Sequence, residues 1–413
     1  MRSPDFVPVD RGFWTGGQYS LSRALTGVGL SAAALVLAIR ETVPGARVPM
    51  IGVTPAALVA ALAALVWAAG IGDRIAAVML LATGTGIVLV GPFPSGRAAI
   101  LLAAILAAHL LIPPAPYGSI AARGRPDPAG GWRMPRIVWL GLWLALAAAY
   151  AQRSMARLGK PEWTGGSALA RALGGDAGRY LLVREHLWVL PPELLQAVTW
   201  GVLAAGIAFV PALFFPRLRA WAWIVLGTVQ IGRLALLHTA GDAAALLAVH
   251  LFTFDPGWVP GRRAAGGAPE TLFYDGTCGL CHRAVRFVVA EDPGGRAFRF
   301  APLQGGLYHA AIDDAARAAL PDSLIVLTAD GRVLTRSRAV RHLLIRLGGL
   351  WGVLARLAVV IPAPLGDAAY DVVAGLRHRL FARPPEACPI LPRRLRSRFV
   401  LDEVQDAVLP RPR

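Results

Sequence analysis

The feature that most constrains this chain is a train of apolar stretches, each near the length of a bilayer crossing, that fills it as far as Phe252. They run from about Leu21 to Ile39, Pro55 to Ile71, Ile75 to Val90, Ala98 to Ile112, Ile137 to Ala151, Leu194 to Phe215 and Ala220 to Leu237, with a shorter one from Ala243 to Phe252. A helix needs roughly 20 apolar residues to cross a bilayer, so several of these are marginal, and the last fits a half-buried or re-entrant segment. The expectation is an all-α, multi-pass bundle of about seven spans. With 55% hydrophobic and 16% charged residues, the chain is too apolar for an ordinary soluble enzyme. Polar and aromatic residues from Asp5 to Tyr19 precede the first stretch and no small-residue cleavage site follows it, so it reads as a span and not as a signal peptide.

The formal net charge is +17, and Lys160 is the only lysine, so arginine carries almost all of it. Arginines beside apolar segments anchor a chain to anionic lipid and signal topology. No basic and aromatic interleaving of the kind that stacks bases is present, which excludes nucleic acid as a partner. The tract from Ala115 to Pro135, with Arg123, Arg125 and Arg133 and with Arg136 just after it, is the best candidate for a cytoplasmic loop. The loop from Gln152 to Glu193 is also basic. The side of the membrane that holds the C-terminal part is therefore left open.

Composition shifts at Phe254. The run FDPGWVPGRRAAGGAPE places an interfacial Trp258, an arginine pair and a flexible Ala/Gly/Pro linker in succession, an exit from the membrane. This divides the chain into a membrane domain over 1–260, a linker over 261–270 and a second domain over 271–413. The second domain reads as a small α/β unit: a strand TLFYD, a turn, a helix from about Gly279 to Ala290 and a strand from Phe298 to Leu303. Strands from Ser323 to Thr328 and Arg332 to Thr335 flank Asp330-Gly331, a hairpin signal. Helices follow from about Arg338 to Leu347 and from Trp351 to Val360. Strand, helix, strand, hairpin and helix is the order of a thioredoxin-like fold.

Two of the three cysteines, Cys278 and Cys281, stand three positions apart where the first strand gives way to the helix. A sulfur in the first turn of a helix faces unpaired N–H groups and the positive end of the macrodipole, which favour its thiolate. This marks Cys278 as the exposed nucleophile and Cys281, one turn on, as the group that resolves a mixed disulfide; His282, Arg283 and Arg286 add positive charge. A half zinc site or two packed cysteines are the alternatives. A structural zinc site takes four Cys or His ligands, and His282, His309 and Cys388 supply no second ligand pair at matching spacing, so no metal is expected.

YDGTCGLCHRAVRFV, SRAVRHLLIRLGG and IPAPLGDAAYDVVAGLRHRLF followed by Cys388 resemble the DCC (DUF393) family of thiol-disulfide oxidoreductase-like proteins, over about Thr271 to Phe399. The resemblance implies Asp275, Cys278 and Cys281 as signature residues, a thioredoxin-like fold, and a redox-active disulfide with no other cofactor. Gly276, next to Asp275 in the turn, is a supporting residue. Asp275 then accepts backbone N–H bonds in the turn or shuttles a proton, unless it merely forms the turn. Pro321 stands where thioredoxin-like proteins place a cis-proline beside the cysteines.

RSMARLGKPEWTGGSALARAL, LPPELLQAVTWG and HLFTFDPGWVP resemble the HTTM domain, a membrane unit similar to vitamin K-dependent gamma-carboxylase, over roughly Tyr19 to Pro260. The resemblance implies a catalytic lysine shortly before Trp163. Arg157 occupies that position, with Lys160 displaced towards the tryptophan, and an arginine cannot serve as a neutral base. Gln230, Arg233, His238, Asp242 and His250 lie in or near the last apolar stretches, where ionisable groups pair or line a cavity; an Arg233–Asp242 ion pair and a quinone or lipid pocket are the two readings.

The expectation is thus an integral, multi-pass protein of a bacterial cytoplasmic membrane, in contact with lipid and with a protein or small-molecule thiol or disulfide partner. Its rivals are a carboxylase-like or quinone-linked membrane enzyme that uses the cysteines as a relay, and a non-catalytic assembly protein.

Overall fold

The computed structural model describes residues 13–42, 53–90, 96–175, 190–237, 240–261, 268–321, 323–380 and 392–400. The chain divides into two compact units. One comprises Met1–Tyr19, Pro116–Arg133 and Asp255–Arg413, and the other Ser20–Ala115 and Met134–Phe254.

Helices make up the second of these units. They are α1 (Gly16–Thr42, whose first residues belong to the other unit), α2 (Val53–Ala69), α3 (Asp73–Val90), α4 (Gly96–Leu110), α5 (Arg136–Leu158), the short α6 (Pro161–Thr164) and α7 (Ala168–Gly174), α8 (Pro192–Ala212), α9 (Pro216–Leu236) and α10 (Ala240–Thr253). Prolines open α6, α8 and α9, where a missing N–H costs nothing and the fixed φ suits the first turn. Small residues let α1 and α2 approach: a Cβ at Gly27 would stand 2.7 Å from both the Ala64 carbonyl and the Ala68 Cβ. Such close backbone contacts hold apolar helices together where no hydrophobic gain is available. Inside the unit, fully buried Arg23 pairs with Asp73 at 3.1 Å, and Asp73 also accepts from the Ala115 N–H. A buried charge needs such a partner.

The seven spans expected from the sequence are not what the described residues give. Two helical segments, Gly16–Ile39 and Pro192–Ala212, are long and apolar enough to cross a membrane. A third is counted if the bent pair Gly349–Val360 and Ala363–Arg377 is one span. The reason is length and charge. At about 1.5 Å per residue, helices of 14 to 17 residues such as α2, α4 and α10 fall short of the ~30 Å hydrocarbon layer. The longer α5 carries Arg136, Arg153 and Arg157, and α9 carries Arg217, Arg219 and Arg233.

A four-stranded mixed sheet organises the C-terminal unit. Its strands are β1 (Glu270–Tyr274), β2 (Phe298–Pro302), β3 (Ile325–Leu327) and β4 (Val333–Thr335), in the order β2-β1-β3-β4. β1 and β2 run parallel, with Tyr274 opposite Pro302, while β3 is antiparallel to both β1 and β4. Parallel neighbours require a crossover, supplied by α11 (Gly279–Glu291). α12 (Gly306–Ala311) and α13 (Asp314–Ala319) lie between β2 and β3, and α14 (Arg336–Leu347), α15 (Gly349–Leu357) and α16 (Ala363–Leu380) follow β4. The β3–β4 turn places Gly331 at φ +81°, the left-handed region that glycine enters without penalty.

Alternation along β1 sends its residues to two cores. Leu272 and Tyr274 pack with Val285 and Val288 of α11 and with both cysteines, and Phe273 packs with Tyr308, Ile312 and Ile325 on the other face. Residues Arg398–Val400 extend the sheet beside β2, through the Phe300 N–H to the Arg398 carbonyl (2.9 Å) and the Val400 N–H to the Phe300 carbonyl (2.8 Å). Arg398 also reaches Asp292, at the end of α11, at 2.8 Å.

Candidate functional site

The site forms where the carboxyl ends of the parallel strands β1 and β2 meet the start of α11, a position at which α/β sheets leave room for ligands. Cys278 is the N-cap of α11: its backbone is extended, its carbonyl accepts from the His282 N–H at 3.1 Å, and its Sγ accepts from the Cys281 N–H at 3.4 Å. One of the helix's orphan N–H groups is thus satisfied by sulfur. Both cysteines are free thiols.

Three residues before the cap, Asp275 anchors the turn. Its Oδ1 accepts from the Thr277 N–H and hydroxyl, each at 2.8 Å, and from the Gln304 amide at 3.0 Å. Gln304 in turn accepts from the Gly276 N–H at 3.2 Å, and the His282 ring donates from Nε2 to the Gly276 carbonyl at 3.0 Å. Buried His282 is therefore a turn-holding donor, with its ring edge-on to Tyr274. Gln304 is the member the sequence did not point to. Only the parallel pairing of β1 with β2 puts a residue two positions past Pro302 beside Asp275, and a strand-helix-strand order was the available hint of that pairing.

The sulfurs differ from expectation in exposure. Cys278 is 2% exposed and Cys281 8%, so Cys278 is not the exposed one. Its Sγ is turned under the first turn of α11, in the core with Tyr274 and Leu324. It is Cys281 that lines a cavity of about 510 Å³, together with Leu280 and Ala284 of α11, Leu324, and residues of α14, α15 and α16. Tyr370 closes one wall, and its hydroxyl oxygen accepts a hydrogen bond from the Leu324 N–H at 2.9 Å. Arg338, Arg341 and Arg377 are the charged residues of the lining.

Electrostatics separate the groups. Burial, and then the Cys278 sulfur beside it, push the Cys281 thiol up to about 12. Burial works to raise the Asp275 carboxyl as well, but the hydrogen bonds from Thr277 and Gln304, with Arg377 nearby, outweigh it and hold the group below the ordinary carboxylate range.

The bond before Pro321 is not the cis bond expected there. No peptide bond among the described residues is cis, and Leu324, nearer the start of β3, is the residue that shares the cavity wall with Cys281. Cys388 and His238 lie outside the described residues. Among the described residues no group of three or more His, Cys, Asp or Glu is placed to hold a metal ion.

In the helical unit, Arg157 stacks over the Trp163 ring at 4.1 Å, while Lys160 is exposed at the cap of α6. Asp242 pairs with Arg153 at 3.1 Å, and Arg233 donates to Gln230 at 2.7 Å. Arg153 was not singled out by the sequence, because it follows an apolar stretch at what reads as a loop. Helix α5 carries it inward.

Residues 272–383 match the family described as DCC1-like thiol-disulfide oxidoreductase. Over 135 residues the chain is 30% identical to the "Uncharacterized protein YuxK" of Bacillus subtilis (strain 168), an overlap of 32% of this chain and 93% of that protein. No solved structure matches.

Proposed function

Since the chain belongs, through its residues 272–383, to the DCC1-like thiol-disulfide oxidoreductase family, we propose that it is a membrane-anchored thiol-disulfide oxidoreductase working through Cys278 and Cys281. The observation that carries the proposal is the cap of α11: two free thiols one turn apart, with the Cys281 N–H directed at the Cys278 sulfur at 3.4 Å. The sheet order β2-β1-β3-β4, with β1 and β2 parallel and the cysteines at the start of the crossover helix, supports a thioredoxin-like reading of the domain. Two helices of membrane-crossing length and apolarity support the anchoring.

The reaction runs in two displacements. Cys278, whose sulfur accepts from the Cys281 N–H, attacks one sulfur of a disulfide R–S–S–R′ as its thiolate; R′–S⁻ leaves and a mixed disulfide between Cys278 and R forms. Cys281 then gives up its proton and attacks the Cys278 sulfur, releasing R–S⁻ and closing the Cys278–Cys281 disulfide. Two electrons pass from the dithiol to the partner, whose two thiolates take up the two protons. The high position of the Cys281 thiol keeps it protonated until this second step. Because Cys278 is 2% exposed, the first displacement requires the structure over its sulfur to open locally.

A redox titration of the detergent-purified chain, read by thiol-alkylating mass tags, tests this. Cys278 and Cys281 are expected to interconvert reversibly between dithiol and disulfide, Cys281→Ser to accumulate the mixed disulfide, and Cys278→Ser to form none. Failure of the pair to form a disulfide at any potential overturns the proposal, and one tightly held zinc per chain points to a metal-binding module in its place.

A further inference from the structure

The helical hairpin that closes the cavity ends in an apex unlike the rest of the C-terminal unit. From Leu357 to Gly366 the sequence LAVVIPAPLG holds no charged residue. α15 runs into a short 3₁₀ turn, Ala358–Val360, and the two arms of the hairpin, Gly349–Val360 and Ala363–Arg377, meet at a bend of 119°. The aliphatic side chains at this apex point out of the protein. Val360 is 85% exposed and Leu357 and Leu365 are each 63% exposed, with Val359 and Ile361 also in the open. Isolated exposed aliphatics are ordinary, but a contiguous group at one apex marks a surface made for an apolar partner.

The inner side of the hairpin is fixed by polar ties. Ser337 donates to Asp367, Arg336 pairs with Asp371 at 3.1 Å, and the Tyr370 hydroxyl accepts from the Leu324 N–H. The apex therefore projects as a built element of the fold. Asp367 and Asp371 are taken up by Ser337 and Arg336, whereas Arg338, Arg341 and Arg356 are exposed, a charge balance suited to anionic headgroups. A single apolar or basic signal holds a protein to lipid only weakly, and stable anchoring takes two; here the chain already contains two helices fit to cross a bilayer.

We infer that the apex of the α15–α16 hairpin, centred on Val360, inserts into the interfacial layer of an anionic bilayer. The bend prevents the pair from crossing as one straight rod, so the apolar residues enter the headgroup and upper acyl region while the arginines stay with the headgroups. Ile361 and Val373 belong both to this exposed surface and to the wall of the cavity at Cys281. Insertion thus brings the approach to Cys281 next to the apolar layer. The inference rests on membrane anchoring but not on the redox reading, and holds whether or not the cysteines exchange.

The test uses the full chain with Cys278, Cys281 and Cys388 changed to serine and a single environment-sensitive fluorophore at Val360→Cys, Val359→Cys or, as control, Asp314→Cys, whose side chain is 91% exposed. The protein is reconstituted into phosphatidylcholine vesicles containing phosphatidylglycerol, with nitroxide-labelled acyl chains as quencher. Quenching at 359 and 360 at least about threefold stronger than at 314 is expected for an inserted apex. Equal, weak quenching at all three sites overturns the inference. A blue shift at 360 that lipid nitroxides do not quench and that fades on dilution in lipid assigns the apex to a second copy of the chain and also overturns it. Absence of any vesicle association sinks the anchoring reading together with this one. Photocrosslinking from an unnatural amino acid at Val360 in otherwise wild-type protein repeats the measurement without touching the cysteines. Lipid adducts are expected, and adducts to protein alone contradict insertion.

Discussion

Cys278 and Cys281 were legible as a pair at a strand-to-helix junction, because N-cap positions are set by local sequence. Their exposure was not, because it depends on what Tyr274, Leu324 and Leu343 do around them. The resulting asymmetry has a measurable consequence. With its thiol pushed up to about 12, Cys281 should be alkylated by iodoacetamide at a rate that keeps climbing up to at least about pH 10, where a free thiol would already have levelled off above ~8.5; peptide mapping of the modified site across pH checks it. Asp275 gives a prediction of opposite sign. Its carboxyl is lower in the folded protein than in the unfolded chain, so it stabilises the fold above the ordinary carboxylate range and that contribution disappears as pH falls through the folded value. Asp275→Asn should therefore melt below wild type at neutral pH, and the gap should close in acid below about pH 4.

Among the elements, β1, α11, β2 and the Asp330-Gly331 hairpin came from the sequence within a residue or two, because alternation, helix periodicity and turn chemistry are local signals. α12 and α13 did not, since six-residue helices carry too few turns to show a period. The junction of α14 and α15 also needed the fold. Gly348 sits at φ +72°, and a Cβ there would stand 2.3 Å from the Gly261 nitrogen and 2.7 Å from the Val259 carbonyl. Gly348→Ala should lower stability by about 1–3 kcal/mol through strain and displacement of that contact, measurable as a fall in the thermal midpoint in detergent with the cysteine titration unchanged. Glu291 is a second case. At the end of α11 it accepts from the Gly17 N–H at 2.9 Å, and from the Thr15 hydroxyl and Trp351 indole. Glu291→Ala leaves the buried Gly17 N–H and the half-buried Thr15 and Trp351 donors without their acceptor and should cost about 3 kcal/mol, read in the same melt.

For the whole molecule, a long apolar part was visible from composition, and a small mixed α/β part from its pattern of alternation and helix period. The number of crossings was not, because hydropathy reads every Ala/Leu-rich run as a possible span, whereas helix length and inward-turned charges such as Arg153 restrict which runs reach across. A chain anchored by crossing helices should stay with the membrane through alkaline carbonate washing and leave it only in detergent; release by carbonate would contradict anchoring.

By itself the sequence determined the apolar character of the first 250 or so residues, the strand-helix-strand order after Thr271, and the placing of two thiols one turn apart at a helix start. Those properties are written in neighbours along the chain. Tertiary structure alone decided that Gln304 completes the Asp275 turn, that Glu291 meets Thr15 and Gly17, that Cys281 and not Cys278 opens onto the cavity, and that the apex at Val360 is left uncovered. Each of these joins residues far apart in sequence, and which distant surfaces come together is fixed by packing, for which no local period or propensity carries a signal.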